Sequence, residues 1–210
     1  MKVRTNYLLL TAIVVLVMLV IFYSFSDLQT NDAYVTNLQQ ERREKDAFFK
    51  QDEHSPIPPE LRGKFKGLNY FPIDPAYRIK ADLIPIPSSD TGAVVLKTTT
   101  GEDRLMYRYA IARFQLNGKE HQLTIFVSTQ SPKVLFIPFK DLTNGRETYP
   151  TGRYLDLPLS GKSRHSAIML DFNKAYNPYC AYSELYSCPI PPPENHLSVA
   201  IKAGEMNYTK

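Results

Sequence analysis

Ala110-Ile111-Ala112-Arg113-Phe114-Gln115-Leu116-Asn117-Gly118-Lys119-Glu120-His121-Gln122-Leu123-Thr124-Ile125 is the stretch that decides the fold. Asn117-Gly118 is the preferred pair for a two-residue type I′ turn, because both central residues need positive φ. A turn there sets Phe114 opposite His121, Ala112 opposite Leu123 and Ala110 opposite Ile125. One face then collects Ala110, Ala112, Phe114, Leu116, Leu123, Ile125 and Val127. The other carries Arg113, Gln115, Gln122 and Thr124. A slip of one residue would exchange the two faces, so the register is self-consistent. Small alanines opposite large partners suit a curved, packed sheet.

Working outward, strand patterns fall at 77–85, 93–99, 104–116, 119–128, 134–139, 153–157, 167–171 and 197–202. Val134-Leu135-Phe136-Ile137 is continuously apolar and reads as a strand buried on both faces. Sixteen prolines favour loops over long helices. Several short strands separated by turns predict a mainly β fold, an antiparallel sandwich or partly open barrel. Short N-terminal helices accompany it. Residues 38–49 read as a charged, solvated helix that docks through Phe48 and Phe49, and Ser55-Pro56-Ile57-Pro58-Pro59 stops it. Pro58 or Pro59 can open a second short helix reaching Phe65, since proline is tolerated in a first turn.

Ahead of all this, residues 7–25 form an apolar run with no charge inside it, preceded by Lys2 and Arg4. Nineteen helical residues reach about 28 Å, close to the hydrocarbon thickness of a bilayer. Tyr7 and Tyr23 suit the two interfaces, and the positive-inside rule puts Met1 in the cytoplasm and Asp27 onward outside. A cleaved leader would need small residues after the run. Here it ends Phe22-Tyr23-Ser24-Phe25-Ser26, so an uncleaved signal anchor is expected. The domain plan is a cytoplasmic stub and transmembrane helix over 1–26, a tether over 27–37, and an extracytoplasmic mainly β domain over 38–210. The expected location is the cell membrane, single-pass, with the lipid bilayer as partner of residues 7–25.

Composition excludes some classes. The net charge is +4, and Lys2 and Arg4 carry two of it, so the remainder is nearly balanced. No Lys/Arg cluster with interleaved aromatics appears, which argues against nucleic acid. Fourteen Tyr and eleven Phe with no Trp indicate an aromatic core or a stacking surface. There is no P-loop and no G-x-G-x-x-G. No H-x-x-x-H or C-x-x-C metal spacing appears, so neither a metal nor a cofactor is expected.

Two stretches are too polar to be plain connectors. The first runs from Phe139 through Asp141, Thr143 and Thr148-Tyr149 to Gly152-Arg153-Tyr154. The second runs from Leu170-Asp171 through Asn173, Asn177 and Cys180 to Cys188-Pro189 and Glu194-Asn195. Asp141, Thr143, Arg153, Tyr154, Asp171, Asn173, Asn177, Cys180, Glu194 and Asn195 are the candidate polar site. Arg153 needs a carboxylate, and Asp141 and Asp171 are its candidates. In one reading these groups only hold two long loops in shape. In the other, Arg153 binds an anionic or polar group in a pocket shaped by Tyr154, Asn173 and Asn177. Cys180 and Cys188 are a candidate disulfide, worth about 2.5 kcal/mol over so short a loop. Two buried free thiols, or a nucleophilic Cys180, are the competing readings. A nucleophile needs a base, and His54, His121, His165 and His196 show no diagnostic spacing.

Taken together, Phe65-Lys66-Gly67-Leu68-Asn69-Tyr70-Phe71-Pro72, Thr148-Tyr149 with Gly152-Arg153-Tyr154-Leu155, Asp171-Phe172-Asn173 with Tyr176-Asn177-Pro178, Cys180, and the proline run with Glu194-Asn195 carry a resemblance. The chain resembles the domain-of-unknown-function family 1684 of bacteria and archaea from about residue 49 to 205. The resemblance implies relationship without an activity. It also implies members that lack an anchor yet keep both cysteines, which weighs against a structural disulfide, because cytosolic thiols stay reduced.

The expected function is a membrane-anchored extracytoplasmic binding or interaction module, for an unknown small molecule or envelope protein. The rival expectation is an envelope-associated hydrolase working through Asp141, Arg153, Asp171 and Cys180.

Overall fold

The computed structural model describes residues 2–87, 89, 90, 92–159 and 167–209. In the first helix it describes the side chains of Thr11, of residues 13–19 and from Asn31 onward. His165 lies outside the described residues. The chain divides into two compact units, Met1–Lys45 and Asp46–Lys210.

The first unit is helical. Helix α1 (Lys2–Gln51) runs through residues 27–37, where a tether was expected, and on through residues 38–49 into the second unit. Among the described residues no helix is long and apolar enough to cross a membrane. Most side chains of the apolar run at residues 7–25 lie outside the described residues.

The second unit begins with the end of α1. Phe49 is buried with Ile57, Phe65 and Tyr182, its ring edge-on to Tyr182 at 4.9 Å between centroids. Ser55 stops the helix by donating its hydroxyl to the Phe49 carbonyl at 2.5 Å. Helix α2 (Pro59–Arg62) follows, with proline in its first turn as expected.

Among the described residues seven strands form one antiparallel sheet: β1 (Arg78–Pro85), β2 (Ala93–Lys97), β3 (Asp103–Leu116), β4 (Lys119–Val127), β5 (Val134–Phe139), β6 (Arg153–Pro158) and β7 (Ile168–Asp171). The spatial order is β6-β5-β4-β3-β1-β7, with β2 also on β3. The long β3 shares one edge between two partners. Residues 110–113 pair with β1, and residues 103–107 pair with β2. The hairpin register is the expected one: Phe114 faces His121, Ala112 faces Leu123 and Ala110 faces Ile125. Asn117 and Gly118 take φ of 53° and 72°, the signature of a type I′ turn. A bulge between Arg108 and Ala110 then bends β3 and brings Tyr109 and Ala110 into the core together.

The sheet curls into a nearly closed barrel rather than a sandwich. Beyond β7 the chain makes a 3-10 turn, Phe172–Lys174, and returns to the far edge strand. There Tyr154 and Tyr176 exchange backbone hydrogen bonds of 2.9 and 3.0 Å. The interior holds Ala112, Phe114, Leu123, Ile125, Ile137, Phe139, Leu155, Leu170, Phe172 and Ile201. A smaller cluster of Leu96, Met106 and Phe126 sits apart from it.

One expected strand is absent as such. Residues 197–202 run beside the chain after β5, with Leu197 N donating to Lys140 O at 2.8 Å and Leu142 N to Val199 O at 3.1 Å. They do not continue as a ladder, because the Ile201 carbonyl is turned toward a side chain.

Candidate functional site

That side chain is Arg153, the first residue of β6. It is completely buried. Nη2 donates to Asp141 Oδ2 at 2.9 Å and to Ile201 O at 2.8 Å. Nη1 donates to the carbonyls of Ala203 and, at 3.2 Å, of Glu205. The guanidinium therefore stands in for the missing neighbour strand along carbonyls 201, 203 and 205. Its planar fork of donors makes this possible. It also lies 5.4 Å from the ring centroid of Phe139, a favourable cation–π distance. Burial pulls its pKa down, and Asp141 opposes that shift.

Asp141 is held just as firmly. Its Oδ1 accepts from Thr143 N (2.8 Å), Thr143 Oγ1 (2.6 Å) and Ile201 N (3.2 Å). Thr143 and Thr148 hydroxyls meet at 2.8 Å. Of the two carboxylates considered for Arg153, Asp141 is the partner. Asp171 instead accepts from Asn173 N at 3.1 Å.

Carboxamides do similar work elsewhere. Asn195 accepts from Thr124 N at 2.7 Å and donates to Thr124 O at 2.9 Å and Pro138 O at 2.7 Å. It stitches β4 to β5 where their ladder has shrunk to the single pair Phe126–Phe136. Asn173 treats Asp74 the same way, accepting from its N at 2.9 Å and donating to its O at 2.8 Å. Asn177 donates through Nδ2 to Met206 O at 2.8 Å. Its backbone N–H goes to Glu205 Oε2 at 2.8 Å, which also receives the Tyr182 hydroxyl at 2.6 Å. Tyr154 donates its hydroxyl to Pro189 O, and Glu194 meets Arg108 at 3.3 Å near the surface.

The candidate residues thus separate into places with different chemistry. Asp141, Thr143, Arg153, Asn173, Asn177 and Asn195 are buried, with their polar atoms committed mainly to backbone. Arg153 shows no face to solvent.

Partly exposed chemistry lies at Cys180, with Cys188 buried beside it. Both are free thiols here, so the candidate disulfide is not formed in this structure. Cys180 sits on the 3-10 turn Tyr179–Ala181 and is partly exposed, whereas Cys188 is buried. Cys180 N donates to Cys188 Sγ at 3.2 Å, and the Tyr149 hydroxyl donates to Cys180 Sγ at 3.6 Å. Cys188 is held by backbone bonds to the turn after β2, with Thr99 N donating to Cys188 O at 2.9 Å and Ile190 N to Lys97 O at 2.7 Å. Hydrogen bonding from Cys188 brings the Cys180 pKa down to about 6, against burial. The same bond pushes Cys188 up. Burial, and then the bond to Cys180, pushes Tyr149 up to about 12.

Among the described residues no histidine completes a nucleophile. His54 is exposed beside Glu53, His121 stacks near Phe114, and His196 Nε2 is 3.1 Å from Pro191 O. Among the described residues no group of three or more His, Cys, Asp or Glu could hold a metal ion.

Tyr149 and Thr99 as thiol neighbours, and Glu205 as a buried hub, had no local signal in the sequence. Tyr149 meets a partner 31 positions away, and Glu205 sits in a triplet that reads as a turn.

The family model described as protein of unknown function (DUF1684) matches residues 63–206. The chain belongs to that family. The solution NMR structure of the uncharacterized protein from gene locus rrnAC0354 of Haloarcula marismortui is 40% identical, with a TM-score of 0.66. The alignment covers 85% of this chain and 96% of that one. No curated protein matches the sequence. The matched region includes the whole barrel, the arginine plug and both thiols.

Proposed function

We propose that the protein is a membrane-anchored module that presents its barrel outside the membrane for binding a small molecule or an envelope protein. The observation that carries this reading is the uncharged run at residues 7–25 behind Lys2 and Arg4. Support also comes from residues 13–19, seven consecutive apolar side chains exposed on a helix. A helix that is apolar all round needs a membrane or a large protein interior around it. The hydrolase alternative loses Asp141, Arg153 and Asp171 to internal hydrogen bonds and keeps only Cys180.

Fractionation of cells expressing the full chain tests this. The expected result is a chain that stays in the membrane pellet after carbonate washing and is cut by protease added outside spheroplasts. A chain released by carbonate, or one protected from external protease in intact spheroplasts, overturns the reading.

A further inference from the structure

We propose that Cys180 and Cys188 form a thiol–disulfide exchange site, with Cys180 as the attacking thiol and Cys188 as the resolving thiol. The substrate class is a small-molecule or peptide disulfide. This goes beyond the anchored-module reading and does not depend on it.

Three observations carry the proposal. First, the two residues touch: the Cys180 amide donates to Cys188 Sγ at 3.2 Å. Second, their exposure is divided as such a site requires. Cys180 is open to solvent in part, and Cys188 is buried behind it. An outside disulfide reaches the first more readily, and the second lies beside the first. Third, the pair is built into the fold from two sides. Cys188 is pinned to the turn at Thr98-Thr99, with Cys188 N also donating to Thr99 Oγ1 at 3.2 Å. Ser187 donates to Thr98 Oγ1 at 2.8 Å beside it. Tyr149, from the loop before β6, points its hydroxyl at Cys180 Sγ.

The direction of the Cys180 titration agrees with this geometry. Donors aimed at its sulfur stabilise the thiolate, and the thiolate is the nucleophile.

The chemistry balances without a further reagent. The Cys180 thiolate attacks one sulfur of the disulfide, forms a mixed disulfide and expels the first thiolate with the bonding electron pair. Cys188 gives its proton to that leaving thiolate and attacks Cys180 Sγ. The new protein disulfide forms, and the second thiolate leaves and takes a proton from water. Two protein thiols are oxidised to one disulfide, and one external disulfide is reduced to two thiols.

The test is equilibration of the full chain in graded mixtures of reduced and oxidised glutathione. Acid quenching, alkylation of remaining thiols and intact mass spectrometry follow. The wild type is expected to pass directly from two alkylated thiols to none, without a glutathione adduct. Cys188→Ser is expected to collect one glutathione, mapped to Cys180. Cys180→Ser is expected to react about tenfold more slowly or less, at the buried thiol. Circular dichroism of each variant checks folding, and the wild-type titration stands without the variants. A wild type that accumulates an adduct without closing, or whose thiols resist oxidation throughout, overturns the proposal. The assay reads sulfur chemistry alone, so its outcome is separate from the outcome of fractionation.

Discussion

Asn195 and Thr124, 71 positions apart, face each other as two residues of neighbouring strands would, although one contributes only a side chain. The carboxamide supplies an acceptor and two donors to three buried backbone groups, Thr124 N, Thr124 O and Pro138 O. Each buried group left unpaired costs about 1–3 kcal/mol. Asn195→Ala is expected to lose about 3 kcal/mol or more in denaturant unfolding, and to speed amide exchange at Thr124. Asn195→Asp keeps the acceptor but sets oxygen against two carbonyls, so it is expected to fare no better. An unchanged unfolding midpoint in both variants would count against the stitching role.

Arg153 belongs to stability rather than recognition. Removing one partner of a buried, hydrogen-bonded pair costs about 3–5 kcal/mol, because the other charge is left uncompensated. Arg153→Ala is expected to unfold or nearly unfold the barrel. Arg153→Lys is expected to recover only part of the loss, since an ammonium cannot serve Asp141 and three carbonyls in one plane. Chemical denaturation of the three proteins ranks them. A fully stable Arg153→Ala variant would return the residue to the list of ligand-binding groups.

Gly204 is fixed by space as well as conformation. Its φ is +77°, and an added Cβ would lie 2.5 Å from Ala175 O and 2.7 Å from Phe172 O. Gly101 has a similar φ of +85° but open space around it. Left-handed geometry alone costs a side chain about 1–2 kcal/mol. Gly101→Ala is expected to show that cost only. Gly204→Ala is expected to show clearly more, because two carbonyls of the barrel seam must move. Equal melting temperatures for the two variants would refute the distinction.

The thiol pair gives stability a pH dependence with two limbs. Cys180 is lowered to about 6 in the folded protein and Cys188 is raised, while an unfolded thiol titrates near 8.5. Between about 6 and about 8.5 the unfolded chain holds one more proton, so stability rises with pH. Above about 8.5 the unfolded chain loses both protons and the folded one keeps the proton of Cys188, so stability falls. Reduced wild type is expected to show a maximum near pH 8.5 in this contribution. Cys180→Ser is expected to lose the rising limb. Urea unfolding across pH 6–10 under reducing conditions measures both.

Legibility in the sequence followed the range of each interaction. The β3–β4 register could be read because Asn117-Gly118 fixes the turn and a period of two fixes the faces. The strand at residues 134–139 was equally plain, being apolar throughout. Residues 197–202 alternate like a strand, yet their role depends on Arg153, 48 positions before Ile201. No local pattern announces that a guanidinium will replace a strand. The same holds for Asn173 and Asn195, which were visible as polar residues in loops but not as backbone mimics. The family-bearing stretches were recognisable, while the division between a closed interior and a partly exposed Cys180 backed by a buried Cys188 came only from the three-dimensional arrangement.

The arginine plug also sets an order of events for folding. Three of the four acceptors of Arg153 lie in residues 201–205, beyond β7 and the 3-10 turns that follow it. During synthesis β6 emerges long before them. Until they arrive, the interior would hold a cation answered by Asp141 alone, and water is the better host. The barrel therefore cannot seal its core from the amino-terminal side inward. A released chain truncated before Ile201 should remain open and protease-sensitive, and extension through Glu205 should close it in one cooperative step.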